Sequence, residues 1–165
     1  MRYGAALLTL LLATCTVTAA ESQTGMDQRA IRTLYDHYTA AVAARNLDAI
    51  MVLYANDVVV FDAFLPRKYV GIAAYRKDYE DFFAAYPGPV KAQVSDLTIT
   101  VVGSVAYAYG IDHWTVTDAQ KKAADLTFRF TDVLRKKHRK WLIVHEHVSF
   151  PVDPSTGAAD FASKP

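Results

Sequence analysis

The hydrophobic pattern of the chain changes its period at Pro87-Gly88-Pro89. Before this break the apolar residues recur at helical spacing, whereas after it they alternate with polar residues, which is typical of strands with one buried face. Proline and glycine in series end a helix, so the two patterns belong to separate structural elements. The order predicts an α+β fold in which helices precede an antiparallel sheet.

Three helices are predicted before the break. Asp27 is the expected N-cap of the first helix, Asn46 is that of a second, shorter helix, and the third helix covers residues 72–86. The predicted strands are residues 58–62, 68–70, 91–102, 104–117, 124–136 and 141–150.

The first 20 residues have the composition of a secretory signal peptide. Arg2 supplies a positive start, the apolar stretch 5–13 is too short to span a bilayer, and Ala20 ends a small-residue cleavage site. We therefore expect a secreted or periplasmic protein. The alternatives are a buried N-terminal helix or a lipid anchor at Cys15, which follows a short run similar to a lipoprotein motif.

Removal of this peptide leaves about 145 residues, the size of one domain. It also removes Arg2 and the only cysteine, Cys15, so basic and acidic residues then balance, and disulfides and thiolate chemistry are excluded. A balanced charge argues against a nucleic-acid partner. We predict one domain at 27–151 with no membrane span, followed by a disordered tail at 152–165.

Carboxylates interrupt the apolar rows of three predicted strands. Asp62 ends a valine-rich run, Asp132 lies in the even-numbered row 126–134, and Glu146 lies in the even-numbered row 142–150. If the last hairpin places both rows on one face, Glu146 lies opposite Asp132 or one position diagonal to it. Two carboxyls this close repel, so one should hold a proton near neutral pH. The alternative is a solvated acid at the rim or a pair with arginine.

Two histidines share a face of the last predicted strand. His145 and His147 could bind a metal together with His113, but Trp141 and Ile143 lie on the same predicted face and favour packing or a dimer surface. We therefore predict no metal site.

Two further groups have simpler explanations. The basic run 135–140 is expected to be a solvated turn rather than a polyanion site. Tyr109, Trp114, Phe128 and Phe130 are predicted to line a site for a flat apolar ligand, with ordinary core packing as the alternative.

The passage Leu53-Tyr54-Ala55-Asn56-Asp57-Val58-Val59-Val60-Phe61-Asp62 resembles ketosteroid isomerases of the nuclear transport factor 2-like superfamily. This resemblance covers residues 27–151 and implies a cone of three helices and a curved antiparallel sheet around a pocket. It implies that Asp62 is a general base and that Tyr38 and Asp132 donate hydrogen bonds to an enolate oxygen. Phe61 and Ala63 depart from that family's pattern.

The closing passage 141–151 is more similar to SnoaL-like domains and to the association domains of calcium/calmodulin-dependent protein kinases. The combined expectation is a homodimeric domain that binds a small apolar carbonyl compound, with Glu146 among the binding residues. Proton transfer of the isomerase or cyclase type would need no cofactor. The alternative is a non-enzymatic ligand-binding or oligomerisation module that assembles through the His145 and His147 face.

Overall fold

The computed structural model describes residues 22–161, so the predicted signal peptide and Cys15 lie outside the described residues. Within this range the helices are α1 Gln23–Ala43, α2 Leu47–Met51 and α3 Ile72–Ala85. The strands are β1 Tyr54–Phe61, β2 Tyr69–Val70, β3 Lys91–Val102, β4 Val105–Thr117, β5 Ala123–Lys137 and β6 Lys140–Ser149. The predicted α+β class is confirmed.

The strands form one sheet in the order β2-β1-β6-β5-β4-β3. All neighbours are antiparallel except β1 and β6, which run parallel. Alternate residues of β4 and β5 are buried on the inner face, where they join helix residues such as Ile31, Val42 and Ile50 in a single core. Bulges in β3 and β6 bend the sheet around these helices.

The predicted start of the first helix is wrong. The N-cap is Ser22, whose hydroxyl accepts a hydrogen bond from the backbone N–H of Gly25, so the helix begins one turn earlier. Asp27 lies inside α1, where it is 5% exposed and forms a 2.5 Å ion pair with Lys136. Asn46 caps α2 as predicted, because its side chain accepts from the N–H of Ala49.

A bulge in β6 changes which of its side chains face the core, so the faces differ from the predicted ones. Val133 pairs with His145 and Leu134 pairs with Ile143, so Val144 is an extra residue in the strand. The shift turns Trp141 and Ile143 inward, where both are buried. The prediction that they share a face with His145 and His147 is therefore wrong.

The same bulge sets the pairing of the two acids. Beyond Val144 the register places Glu146 directly opposite Asp132, as predicted. Both side chains lie on the inner face and are buried.

Residues 152–161 contact the rest of the domain, although their composition predicts a disordered tail. Val152 forms a β-bridge with Ala159, and the carbonyl of Phe161 accepts a hydrogen bond from the N–H of Thr127. The Phe161 ring packs on Phe150, with 4.6 Å between centroids. Among the helices of residues 22–161, none is long and apolar enough to cross a membrane.

Candidate functional site

A pocket opens between the inner face of the sheet and helices α1 and α3. The space between its walls is about 690 Å³, a volume that includes the solvent space at its open mouth. Within residues 22–161, no lysine, arginine or histidine lines it. Its polar side chains are acids and tyrosines: Asp62, Asp78, Asp112, Asp132, Glu146, Tyr35, Tyr38, Tyr54, Tyr75 and Tyr79.

Most of the residues predicted for the site line this pocket. They are Asp62, Tyr38, Asp132, Glu146, Trp114, Phe128 and Phe130. Tyr109 is the exception, and its prediction as a ligand-binding residue is wrong. It lies on the outer face of β4, 46% exposed, with its ring stacked on Tyr107. Side chains alternate along a strand, so Tyr109 and the inward-facing Trp114 cannot share a face.

Glu146 is held by two tyrosines. The hydroxyl of Tyr54 donates to Oε2 and that of Tyr75 donates to Oε1, each at 2.6 Å. Burial raises the pKa of the Glu146 carboxyl, and the two hydroxyl donors partly offset this effect because they favour the charged form.

Asp132 faces Glu146 from the neighbouring strand. Tyr35 donates to its Oδ2 at 2.6 Å, whereas its buried Oδ1 has no hydrogen-bond partner among the described residues. Burial and then the charge of Glu146 raise the pKa of Asp132 well above its usual range. Asp132 therefore holds the proton of this pair near neutral pH and has an O–H to donate.

Asp112 is the third buried carboxyl of the pocket, and it is not among the residues predicted for the site. Tyr38 donates to its Oδ2 at 3.1 Å and the indole N–H of Trp114 at 2.8 Å, while Oδ1 has no partner within residues 22–161. Burial raises the pKa of Asp112 to about 7. The sequence contains a signal for this residue, because Asp112 interrupts the row of inward-facing apolar residues of β4 in the same way as Asp132 interrupts that of β5.

Asp62 lies half-buried at the mouth, immediately after β1. Its Oδ1 accepts a hydrogen bond from the backbone N–H of Phe64 at 3.0 Å. Burial raises the pKa of Asp62 to about 6, and the nearby charge of Asp78 adds to this rise. Asp78 in turn accepts from the hydroxyl of Tyr69 at 2.6 Å. Most Asp62 carboxyls are ionised at pH 7, as a general base requires.

Phe64 closes part of the mouth. Its ring lies 5.5 Å from that of Phe150, 6.2 Å from Phe128 and 6.4 Å from Phe82, measured between centroids. The ring is 38% exposed, and the following Leu65 is 87% exposed. The loop after β1 therefore places an apolar side chain between Asp62 and the aromatic wall.

The donors of the pocket differ in one respect from those that the resemblance implies. Tyr38 and Asp132 line the same cavity, but the Tyr38 hydroxyl donates to Asp112, and Tyr35 is the tyrosine bonded to Asp132. Burial raises the pKa of both tyrosines well above the usual range, so they remain protonated donors.

The two histidines of β6 lie outside the pocket. Nδ1 of His145 is 2.7 Å from the carbonyl oxygen of Val59, and the Phe61 ring packs edge-on against both histidines. His113 of β4 pairs with Thr127 of β5, whereas His145 pairs with Val133, six residues further along the same strand. At strand spacing this separates His113 from His145 by about 20 Å. Among the described residues, no three His, Cys, Asp or Glu side chains form a group that could hold a metal ion.

The sequence matches the family model described as "SnoaL-like domain" over residues 31–153. A comparison with curated proteins gives no significant match.

Several solved structures have the same fold. An NTF2-like protein of unknown function from Pseudomonas putida KT2440 is 28% identical, covers 87% of this chain and all of its own, and has a TM-score of 0.79. A putative calcium/calmodulin dependent protein kinase II association domain from Xanthomonas campestris is 24% identical, with 86% and 96% covered and a TM-score of 0.66. A ketosteroid isomerase-like protein from Erwinia carotovora atroseptica is 17% identical, with 73% and 93% covered and a TM-score of 0.63.

Proposed function

The chain belongs to the SnoaL-like domain family, and on this premise we propose that it binds a small apolar carbonyl compound and moves a proton at the carbon next to the carbonyl. One observation carries the proposal. A carboxyl with a pKa of about 6, Asp62, and a buried carboxyl that keeps its proton, Asp132, line the same aromatic pocket. The first is suited to accept a proton and the second to donate a hydrogen bond.

The proposed step is an enolisation. Asp62 takes a proton from the carbon next to the carbonyl, the electron pair of that C–H bond forms a carbon–carbon double bond, and the π pair of the carbonyl moves to its oxygen. The Oδ1–H of Asp132 donates a hydrogen bond to the developing enolate oxygen, because this oxygen of the carboxyl has no other partner among the described residues. When the substrate has a double bond beyond that carbon, Asp62 returns the proton to the far end of the dienolate, which gives the conjugated isomer without any cofactor; in a saturated ketone the proton returns to the carbon from which it came.

Tyr38 has an indirect part in this scheme. Its hydroxyl proton is already used on Asp112, so Tyr38 orients that carboxyl, while Tyr35 orients Asp132 through its 2.6 Å hydrogen bond. Glu146, opposite Asp132, contributes the negative charge that keeps the proton on Asp132.

The experiment is solvent deuterium exchange at the carbon next to the carbonyl in a panel of cyclic ketones and enones, followed by NMR. We expect wild type to exchange at least one of them, and Asp62→Asn to lose roughly 100-fold or more of the rate. Asp57→Asn is the matched control, because Asp57 lies on β1 but is exposed. Equal rates for the wild type and Asp62→Asn, or no exchange of any ketone in the panel, would contradict proton transfer.

We also propose self-association through the outer face of the sheet. Phe61, Tyr107 and Tyr109 are 42%, 45% and 46% exposed on that face, although large aromatic side chains are usually buried. Sedimentation of wild type and the double variant Tyr107→Lys/Tyr109→Lys is the test. We expect a dimer that dissociates in the variant, and a monomeric wild type at high micromolar concentration would contradict this.

The proposed location is outside the cytoplasm, on the strength of the N-terminal sequence. Fractionation of cells that express the full chain, with mass spectrometry of the mature N-terminus, tests it. Cleavage near Ala20 is the expected result, and an intact Met1 in the cytoplasmic fraction would contradict it.

A further inference from the structure

The hydrogen bonds of the pocket leave few polar atoms for a ligand. The hydroxyls of Tyr35, Tyr38, Tyr54 and Tyr75 all donate to carboxyl oxygens of the pocket itself. The described residues leave two buried side-chain atoms without a partner, Oδ1 of Asp112 and Oδ1 of Asp132. Both residues line the pocket and are at least nine-tenths buried. Besides Asp62 and Asp78, a polar ligand would therefore find two unpaired carboxyl oxygens rather than free tyrosine donors.

The two carboxyls present different chemistry. Glu146 lies opposite Asp132 and favours its protonated form, whereas Asp112 has no carboxyl opposite it: its partner on β5 is Phe128. Two donors, Tyr38 and the indole N–H of Trp114, converge on Oδ2 of Asp112 and favour its charged form. These donors partly offset the burial that raises the pKa of Asp112 to about 7, so above neutral pH Oδ1 of Asp112 is a hydrogen-bond acceptor with negative charge, whereas Oδ1 of Asp132 is a donor.

Aromatic rings surround the Asp112 end of the pocket. The Trp114 ring, whose N–H contacts Asp112, lies 5.2 Å from the Phe82 centroid, 5.8 Å from that of Phe128 and 6.3 Å from that of Tyr79. All four rings line the pocket. Aromatic faces next to a carboxylate favour an organic cation, because the ring quadrupole and the negative charge both attract it.

We propose that the pocket selects small apolar molecules that carry a protonated amine, with the ammonium group bound by Asp112 among these rings. The inference rests on the proposed function and names its substrate class. The ligand's carbonyl would lie at the other end of the pocket, against Asp132. Within the described lining no basic side chain neutralises the acids, so a ligand cation is the group that offsets the cost of burying a charged Asp112.

The positions of the two carboxyls give the spacing between the ligand's groups. Asp132 pairs with Ala108, four residues from Asp112 along β4, so the two Cα atoms lie about 13 Å apart at strand spacing. The two side chains occupy part of that distance. The ammonium and the carbonyl should therefore be separated by a spacer of several carbons.

The first test measures binding and needs no turnover. Isothermal titration of phenylbutylamine and its neutral analogue phenylbutanol at pH 8 compares two ligands that differ in charge and little in shape. We expect the amine to bind at least about tenfold more tightly, the ratio that corresponds to about 1.4 kcal/mol. Equal affinities, tighter binding of the alcohol, or no binding of the amine would overturn the proposal.

Two variants test whether the carboxylate of Asp112 causes the preference for the amine. Asp112→Asn should remove the preference for the amine and leave phenylbutanol binding within about twofold. Asp125→Asn is the matched control, since Asp125 is an exposed acid of the same sheet that bonds to Thr115. A preference that survives in Asp112→Asn would overturn the assignment. Thermal unfolding of both variants checks that they fold. If Asp112→Asn does not fold, the affinities of the wild type for phenylbutylamine and phenylbutanol decide whether the proposal holds.

A pH series adds an independent measurement. The groups that face Asp112 are Tyr38 from α1, Tyr79 from α3, and the acids Asp132 and Glu146 from β5 and β6. An alkylamine keeps its charge below pH 9, so amine affinity should rise from pH 6 to pH 8 as the carboxyls ionise. Affinity that stays constant or falls would contradict the proposal.

The outcomes separate this inference from the proposed function. Tight binding of the amine without ketone exchange would remove proton transfer and keep the cation site. Exchange that depends on Asp62 without any amine preference would keep proton transfer and remove the cation site.

Discussion

The carboxyls of Asp132 and Glu146 occupy directly opposed positions on β5 and β6, and tyrosines fix both of them. Tyr35 donates to Asp132, and Tyr54 and Tyr75 donate to Glu146, all at 2.6 Å. Burial raises the pKa of both acids. The pair therefore stays incompletely ionised at neutral pH, and its protonation links the chemistry of the pocket to the stability of the fold.

Stability should fall as the pH rises. Burial raises the pKa values of Asp112 and Glu146 to about 7 in the folded state and that of Asp132 well above its usual range. Their contribution to stability is therefore fully present below the unfolded-state pKa values near 4 and is lost as the pH rises through the folded-state values. Urea unfolding at pH 5 and pH 8 measures this. Asp132→Asn should reduce the difference by at least about 1.4 kcal/mol, the equivalent of one pKa unit. Higher stability at pH 8 would contradict the burial of these acids.

Tyr75→Phe should destabilise the domain by about 1–3 kcal/mol, because it removes a buried donor to a carboxyl and leaves Glu146 Oε1 without its partner. It should also raise the pKa of Glu146, since the lost hydrogen bond favoured the charged form. Urea unfolding and carbon NMR titration measure the two effects. Tyr86→Phe, at the half-buried C-cap of α3, is the control and should change stability by less than about 0.5 kcal/mol.

Lys136→Met should destabilise the domain by about 1–3 kcal/mol, because it leaves the buried carboxylate of Asp27 without its cation. Gln23 and Trp141 also donate to this carboxylate, so two hydrogen bonds remain in the variant. The hydrogen bond from Lys136 also lowers the pKa of Asp27, and the variant should lose that effect. Lys137→Met, at the exposed neighbouring position, is the control. Equal unfolding midpoints for the two variants would show that the ion pair between Lys136 and Asp27 contributes no net stability.

Arg45→Met should destabilise the end of α3 by about 2 kcal/mol, because the guanidinium donates to several otherwise unpaired carbonyls there. These belong to Phe83, Tyr86 and Gly88, at 2.5–2.9 Å. Hydrogen exchange of the α3 amides should show the loss locally, together with a lower unfolding midpoint. Arg32→Met, on the exposed side of α1, is the control. Unchanged exchange in α3 would contradict this capping role.

The order of helices and strands was predictable because its signals are local. The period changes at Pro87-Gly88-Pro89, and β3 lies exactly where the alternation places it. The start of α1 was missed because Asp27 satisfies the rule for an N-cap, yet its side chain is used by Lys136, more than a hundred residues away. No local pattern contains that contact.

The site was predictable in part. Asp132 and Glu146 could be placed opposite each other because each interrupts an apolar row, and the same rule would have found Asp112 and excluded Tyr109. The partners of these acids could not be predicted. Which tyrosine reaches which carboxyl depends on how α1 and α3 lie across the sheet, and this is a property of the packed core.

The bulge at Val144 divides β6 into two segments: odd-numbered residues face the core in the first, and even-numbered residues face it in the second. Before it, the odd-numbered Trp141 and Ile143 fill the core; after it, the even-numbered Glu146 enters the pocket. Deleting Val144 would remove the bulge and leave the pairs on both sides of it, including Asp132 with Glu146, in register. Pairing Val144 with Val133 instead would place His145 opposite Asp132 and turn Glu146 to the outer face. Whether Val144 bulges out of the ladder or pairs within it thus decides whether an acid or an imidazole faces the pocket.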